Sequence, residues 1–460
     1  MVVASASHAD SSSLSFKYSD LTLGSGPFWL QDWRLNEPKG VGLHQITSAD
    51  QALLLTFPGA DYTYLNSQGA GSFKATGADR YEWSFSDANV DYVRTYEKSG
   101  ESVLVTIDAK FKKNAPGMAF LNLSSKALPE DKDAQDQELF YFTDGKVERK
   151  NVIKNIDSFD VLTPVKWFGA GSRYFVLTVH PVDLKTDKLT LWSTGDKQAQ
   201  ASLQIPVVNQ QLQARFKVVF VPKRLDVLRA IDPTLDTTVD LGFFTVIAYP
   251  ILWALKFIYK FVGNYGVAII ILTLIVKLLT FPLVVKSMKG MRKMAEFQPK
   301  MKALQEKYKD DKVALNAEMM QLMKQSGYNP MAGCFPMLLQ MPIFFALYRV
   351  LYTAEELYGA PFALWIHDLS AKDPLFITPV AMSLLMFLQQ RLTPPSPGMD
   401  PAQRKMMMFM PLMFGAFMLT TQAGLCVYML VNALVSILQQ QYLNKKLGVP
   451  GNAAGMATSF

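Results

Sequence analysis

The alternation of apolar and polar positions divides the chain into two unlike halves. Up to about Asp240 hydrophobic residues come singly or in short runs, with the period of two expected of half-buried strands. Val103, Val105, Ile107, Ala109 and Phe111 share one face of Ser102 to Phe111, and a turn at Lys98, Ser99 and Gly100 joins that run to Val90 to Tyr96. Arg173 to Val179, Leu189 to Trp192 and Ala214 to Val221 repeat the pattern. Together they predict a large antiparallel β-sandwich over residues 16–221, with Ala127 to Asp136 as a charged loop. Residues 1–15 are small and polar, and predict a disordered N-terminal linker. Residues 222–240 predict a second linker, carrying a short helix around Leu225 to Ile231 that the Asp232-Pro233 pair ends.

Beyond Asp240 the pattern changes to long apolar runs. The stretch 241–262 is apolar enough to span a bilayer, but Pro250 splits it, and Lys256 and Lys260 lie one turn apart beside Trp253 and Tyr259. Paired lysines among interfacial aromatics predict an amphipathic helix on the membrane surface, with a true span as the alternative. Five core spans follow, at about 267–285, 331–351, 375–390, 406–421 and 425–439. Three are short: about 16 residues rise roughly 24 Å, less than the ~30 Å hydrocarbon core, which predicts local bilayer thinning. Residues 286–327 carry ten lysines and arginines against five acids, which places them in the cytoplasm. Met294, Phe297, Met301, Leu304 and Tyr308, then Leu315, Met319 and Leu322, have the spacing of two antiparallel helices in a coiled-coil hairpin. Its Lys289, Arg292, Lys293, Lys300 and Lys302 form a basic face that suits anionic lipid or a ribosome or targeting-factor contact. Arg391 to Lys405 and the pair Lys445 and Lys446 are basic, Tyr352 to Pro374 is acidic, and residues 449–460 form a flexible tail.

Composition agrees with a soluble part joined to a membrane part, since half of the 460 residues are hydrophobic. The formal charge of +7 resides largely in the loops of the membrane half, so it sets topology rather than marking nucleic-acid recognition. Cys334 and Cys426 both fall in apolar segments and imply neither a disulfide framework nor a cysteine metal site. The sequence contains no phosphate-binding Gly-Lys loop, zinc-protease helix or nucleophile elbow, so neither a cofactor nor an enzymatic reaction is expected.

The chemistry converges on Lys277, at the middle of the first core span. A lysine at that depth costs about 2.5–3.5 kcal/mol on insertion scales, so it is expected to face protein or water. Thr273 and Thr280 share its helical face. Gln340, Gln389 and Asn432 are further polar positions in the spans, while Met406, Met407, Met408, Met410, Met413 and Met418 offer an adaptable apolar wall.

The runs GNYGVAIIILTLIVK, FQPKMKALQEKYKDDK, NPMAGCFPMLLQMPIFFALY and QQQYLNKKLG, in that order over about Asp240 to Gly448, closely resemble the Oxa/Alb/YidC family of membrane insertases. WFGAGSRYF, at Trp167 to Phe175, is similar to the periplasmic β domain of its Gram-negative members. The resemblance implies an inner-membrane protein with a periplasmic β-supersandwich, a surface helix, a cytoplasmic hairpin and a cytoplasmic C-terminus. Its five core helices would enclose a hydrophilic groove, closed outwards. The implied function is that of a non-enzymatic insertase and chaperone for nascent membrane proteins, working alone or with the Sec translocon. The ribosome and signal recognition particle receptor are further implied partners, and Tyr428 matches a family substrate-contact position. Two departures stand out. Lys277 occupies the place of the family's usual arginine, and the N-terminal anchor helix of Gram-negative members is missing, so Met1 is expected to begin a shortened form of a longer protein. The rival readings are a secondary transporter using the mid-membrane lysine and an envelope protein acting on glycans through the β domain.

Overall fold

The computed structural model describes residues 12–23, 32–35, 53–58, 71–124, 137–151, 157–308 apart from 163, 185–187 and 195–197, parts of 313–321, and 331–392 and 401–447; for 12, 32, 290–302, 305, 331–339, 392, 401–405 and 447 it describes the backbone. The chain folds as two compact units, Met1–Asp240 and Leu241–Phe460.

The first unit is built of antiparallel sheets. The largest has nine strands in the order Lys146–Asn151, Glu138–Thr143, Trp167–Gly171, Phe175–Pro181, Gln211–Pro222, Ser102–Phe111, Val90–Ser99, Arg80–Ser86 and Ser72–Gly77. A five-stranded sheet runs Phe159–Val161, Leu189–Ser193, Ala199–Pro206, Met118–Ser124 and Leu53–Thr56. Alternation decides which side chains lie inside: Val103, Val105, Ile107, Ala109 and Phe111 are all buried, with Leu212, Ala214, Phe216 and Val218 beside them on the paired strand. The hairpin between Val90–Ser99 and Ser102–Phe111 closes at Gly100, whose φ of +64° suits glycine, so Lys98 and Ser99 belong to the strand rather than to the turn. Arg173 likewise lies in a turn, just before the strand Phe175–Pro181.

Two segments expected to be linkers are ordered parts of this unit. Ser12–Ser15 pairs with Ser19–Leu23 in a three-stranded sheet completed by Asp32–Leu35, because Leu14 and Phe16 alternate into the core. Helix α1, Leu225–Ile231, and the following 3₁₀ turn Pro233–Thr238 bury Val227, Leu228 and Leu235 against Phe140, Trp167, Val176 and Val219. Asp232 does not merely end α1. It caps the 3₁₀ turn by accepting from Thr234 N at 2.9 Å, and its carboxylate pairs with Lys166 at 2.7 Å. The loop 127–136, the first eleven residues and the tail 449–460 lie outside the described residues.

The second unit is helical. It contains α2 (Thr245–Val262), α3 (Tyr265–Lys307), α4 (Met331–Thr353), α5 (Ile377–Leu392), α6 (Pro401–Met418) and α7 (Ala423–Leu447). α2 packs against α3 and α4, α3 against α4 and α7, and α5 against α6 and α7. Helix ends differ from the expected spans for local reasons. α3 continues without a break through Pro282 into the basic region, because the change at 286 is one of composition and not of helix propensity. α6 begins at Pro401, where the ring presets the helical φ, and ends at Met418. α7 then starts at Ala423, inside the expected turn. Of the described residues, the helical stretches Thr245–Val262, Tyr265–Lys289 and Ala423–Lys446 are long and apolar enough to cross a membrane, and the apolar stretch Met406–Met418 is shorter. α5 has 16 residues. The second arm of the expected hairpin is described only in part.

Candidate functional site

Lys277 lies on the face of α3 that meets α7, and only 8% of it is exposed. On the same helix Leu274, Ile275, Leu278 and Leu279 are exposed. Its Nζ donates to Ser436 Oγ at 2.7 Å. Among the described residues no carboxylate forms an ion pair with it, so a neutral hydroxyl takes the place that an acid commonly fills beside a buried lysine.

The neighbouring threonines point inward but are occupied with their own helix. Thr273 is buried and its hydroxyl donates to Ile269 O at 2.7 Å. Thr280 donates to Val276 O at 2.9 Å and to Lys277 O at 3.3 Å. This back-bonding satisfies polar groups that would otherwise compete for solvent. Neither hydroxyl contacts the ammonium, so the expected polar stripe on α3 is narrower than its sequence spacing suggests.

The other half of the site comes from α7. Tyr428, Asn432 and Ser436 recur every four residues and share one face. Tyr428 is buried, and its hydroxyl accepts from Gln340 Nε2 of α4 at 3.2 Å. Ser436 donates to Asn432 O at 2.6 Å, while Asn432 Oδ1 is buried without a partner. Gln439 Nε2 reaches Lys277 O at 3.4 Å. The structure therefore groups Lys277, Gln340, Tyr428 and Asn432 along α7. Gln389 is half-buried on α5. Ser436 and Gln439 were not singled out from the sequence, although the four-residue spacing from Tyr428 through Asn432 to Ser436 was there to be read. Of the basic hairpin positions, Lys289 is exposed, and the side chains of Arg292, Lys293, Lys300 and Lys302 lie outside the described residues.

One end of the unit is tightly tied. Asn264 caps α3 by accepting from Val267 N at 3.0 Å and donates to Phe362 O at 2.9 Å. Gly266 lies against Phe362 so closely that a Cβ would come within 2.0 Å of the ring. Asp373 accepts from Trp365 Nε1 at 2.9 Å and from Thr378 N and Oγ1 at 2.7 and 2.6 Å, which caps α5. Burial opposes its charge, but these bonds outweigh that cost and hold the carboxyl below its ordinary range. Ala423 N to Ala371 O at 2.7 Å and Gly424 N to Leu369 O at 2.9 Å then join the loop after α4 to the start of α7. Lys256 of α2 pairs with Glu356 at 2.6 Å in the same region.

The outward face of α2 carries Trp253, Phe257 and Phe261 in a four-residue series, with ring centroids 5.3 and 5.0 Å apart, while Ile251, Leu252, Leu255 and Ile258 are buried. On α6, Met406, Phe409, Met410, Met413 and Phe417 are exposed.

Two family models match the chain. One, described as the 60Kd inner membrane protein, covers residues 257–449, and the other, the YidC periplasmic domain, covers residues 64–254. The membrane protein insertase YidC of Geotalea daltonii is 41% identical over 301 residues, covering 65% of this chain and 56% of the relative. That of Campylobacter jejuni is 51% identical over 219 residues, covering 48% of this chain and 41% of the relative. The matches thus cover between 41% and 57% of the length of these curated relatives. Among solved structures, a crystal structure of active YidC insertase with the first transmembrane domain resolved aligns over 95% of this chain and 93% of its own, at a TM-score of 0.41 and 18% identity.

Proposed function

Since the chain belongs to the YidC family, an inner-membrane family with a periplasmic domain, we propose that it is a membrane protein insertase and chaperone whose working surface is a polar, positively charged groove around Lys277. The observation that carries this reading is the buried ammonium held by a neutral hydroxyl, 2.7 Å from Ser436, in a helix apolar enough to span the bilayer. A cation placed there attracts the acidic or polar tail of a nascent membrane protein into the hydrocarbon layer, and Gln340, Tyr428 and Asn432 offer that tail hydrogen-bonding groups. A membrane potential positive outside favours moving an acidic tail outward by about 2.3 kcal/mol per charge per 100 mV.

The substrate's apolar helix then leaves for lipid between α4 and α6. The exposed Met and Phe side chains of α6 suit that passage, because methionine surfaces adapt to varied apolar partners. The short α5 supports local bilayer thinning, which lowers the barrier further. The basic end of α3, with Lys289, Arg292, Lys293, Lys300 and Lys302, is the proposed recruitment surface for a ribosome or the signal recognition particle receptor. The Sec translocon is the proposed partner for larger substrates.

The test is insertion of a single-span substrate with an acidic translocated tail into liposomes carrying the protein with Lys277, Lys277→Arg, Lys277→Ala or Lys277→Glu. Activity with arginine, and its loss with alanine and glutamate, is the expected result. Full activity of Lys277→Ala would assign the work to the thinned, hydrated groove without its charge.

A further inference from the structure

Ser436 enters the reading above only as the partner of Lys277, yet its bonding is specific. A serine hydroxyl has one hydrogen and two lone pairs. Here the hydrogen goes to Asn432 O at 2.6 Å, and the lysine ammonium donates to Ser436 Oγ itself at 2.7 Å. The hydroxyl rotor is thereby fixed with a lone pair towards the cation. The ammonium has three donors, and this bond uses one of them.

The lysine backbone is held as well. Thr280 Oγ1 and Gln439 Nε2 both reach Lys277 O, at 3.3 and 3.4 Å. One turn along α7, Asn432 Oδ1 is a buried acceptor with no donor among the described residues. An aspartate at 436 would fix the ammonium equally well, but would neutralise it. A serine fixes it and leaves the charge in place.

We propose that Ser436 is a positioning residue that docks the Lys277 ammonium on α7 through a neutral acceptor, keeping its charge and its two remaining N–H donors for a carboxylate of the passing chain. Asn432 Oδ1, beside it, accepts from that chain's backbone N–H. The proposal rests on the insertase reading, and its test separates the two.

The full-length protein is reconstituted in liposomes and given two single-span substrates, one with aspartates in the translocated tail and one with asparagines at the same positions. Ser436→Thr retains the hydroxyl and is expected to insert both as the wild type does. Ser436→Ala is expected to lower insertion of the aspartate tail about tenfold, the usual scale for a lost hydrogen bond to a charged group, and to leave the asparagine tail unchanged. Ser436→Asp should bring the aspartate tail down to the level of Lys277→Ala. Equal insertion of the aspartate tail by Ser436→Ala and wild type, or an equal fall for both tails, would overturn the assignment. If Lys277→Ala inserts both tails like the wild type, the lysine reading itself fails. If Lys277→Ala fails on the aspartate tail and Ser436→Ala does not, the role of Ser436 alone is lost.

Discussion

His180 sits beside the Trp167 indole, ring centroids 6.2 Å apart, with its Nε2 3.1 Å from Thr178 Oγ1. Burial pushes its protonation down to about 4, Asp232 opposes the shift, and Lys166 and Lys217 add to it. The unfolded chain takes up this proton near pH 6.5, so the stability contributed by the neutral ring is complete above that pH and is lost as pH falls from about 6.5 to about 4. Thermal melts of the β unit's near-ultraviolet signal, in the full-length protein, should show a loss of up to about 3 kcal/mol across that window. His180→Gln should flatten the slope. Nothing in the sequence pattern singles out this histidine, because its shift comes from burial and from Lys166 and Lys217, which only the fold brings near it. Lys277 is the contrasting case: its burial was legible, since a charge in the middle of an apolar run has few places to go. Its partner was not legible, because Ser436 lies 159 residues further along.

Helix packing at this unit depends on a few close approaches. A Cβ on Gly415 of α6 would lie 1.7 Å from Ser383 Oγ of α5, a hydroxyl already committed to Pro379 O at 2.7 Å. Gly415→Val is therefore expected to force α5 and α6 apart at a cost of about 1–3 kcal/mol, seen as a lower midpoint of thermal aggregation in detergent. Ser383→Ala in the same chain should recover part of that loss. The pair Lys256–Glu356 makes a second expectation, since the Glu356 side chain is only 9% exposed. Lys256→Met should destabilise more than Lys256→Met with Glu356→Met, because the single change leaves a largely buried carboxylate without this cation. Element types were legible from the alternation of Val103 to Phe111 to the apolar runs of α3 and α7, but not at the strand Ser12–Ser15, where a linker was expected. Ends were not: the hydrogen bonds that fix the 3₁₀ turn at Asp232 and the start of α7 at Ala423 come from residues the periodicity does not register.

At the scale of the molecule, two units were visible from the pattern of apolar and polar positions, and topology is the property they leave to be measured. With Cys334 and Cys426 replaced, single cysteines at Lys113, Lys289, Leu375 and Lys445 can be labelled from one side of sealed vesicles. Lys289 and Lys445 should react from one side and Lys113 and Leu375 from the other. Reaction of Lys113 and Lys289 from the same side would show that α2 crosses the bilayer. The course of α3 then has a mechanical consequence. A 43-residue helix rises about 65 Å, a single shaft pinned at Asn264 and ending among the basic residues. Pro282, five residues past the lysine, leaves the Leu278 carbonyl without its helical donor, and helices bend where that bond is missing. Pro299, nearer the far end, interrupts the ladder in the same way, so a load applied there is expected to flex the shaft at these two points before it turns Lys277. Whatever grips the basic end can pull and swing on a compliant joint, while the cation and its serine keep their alignment.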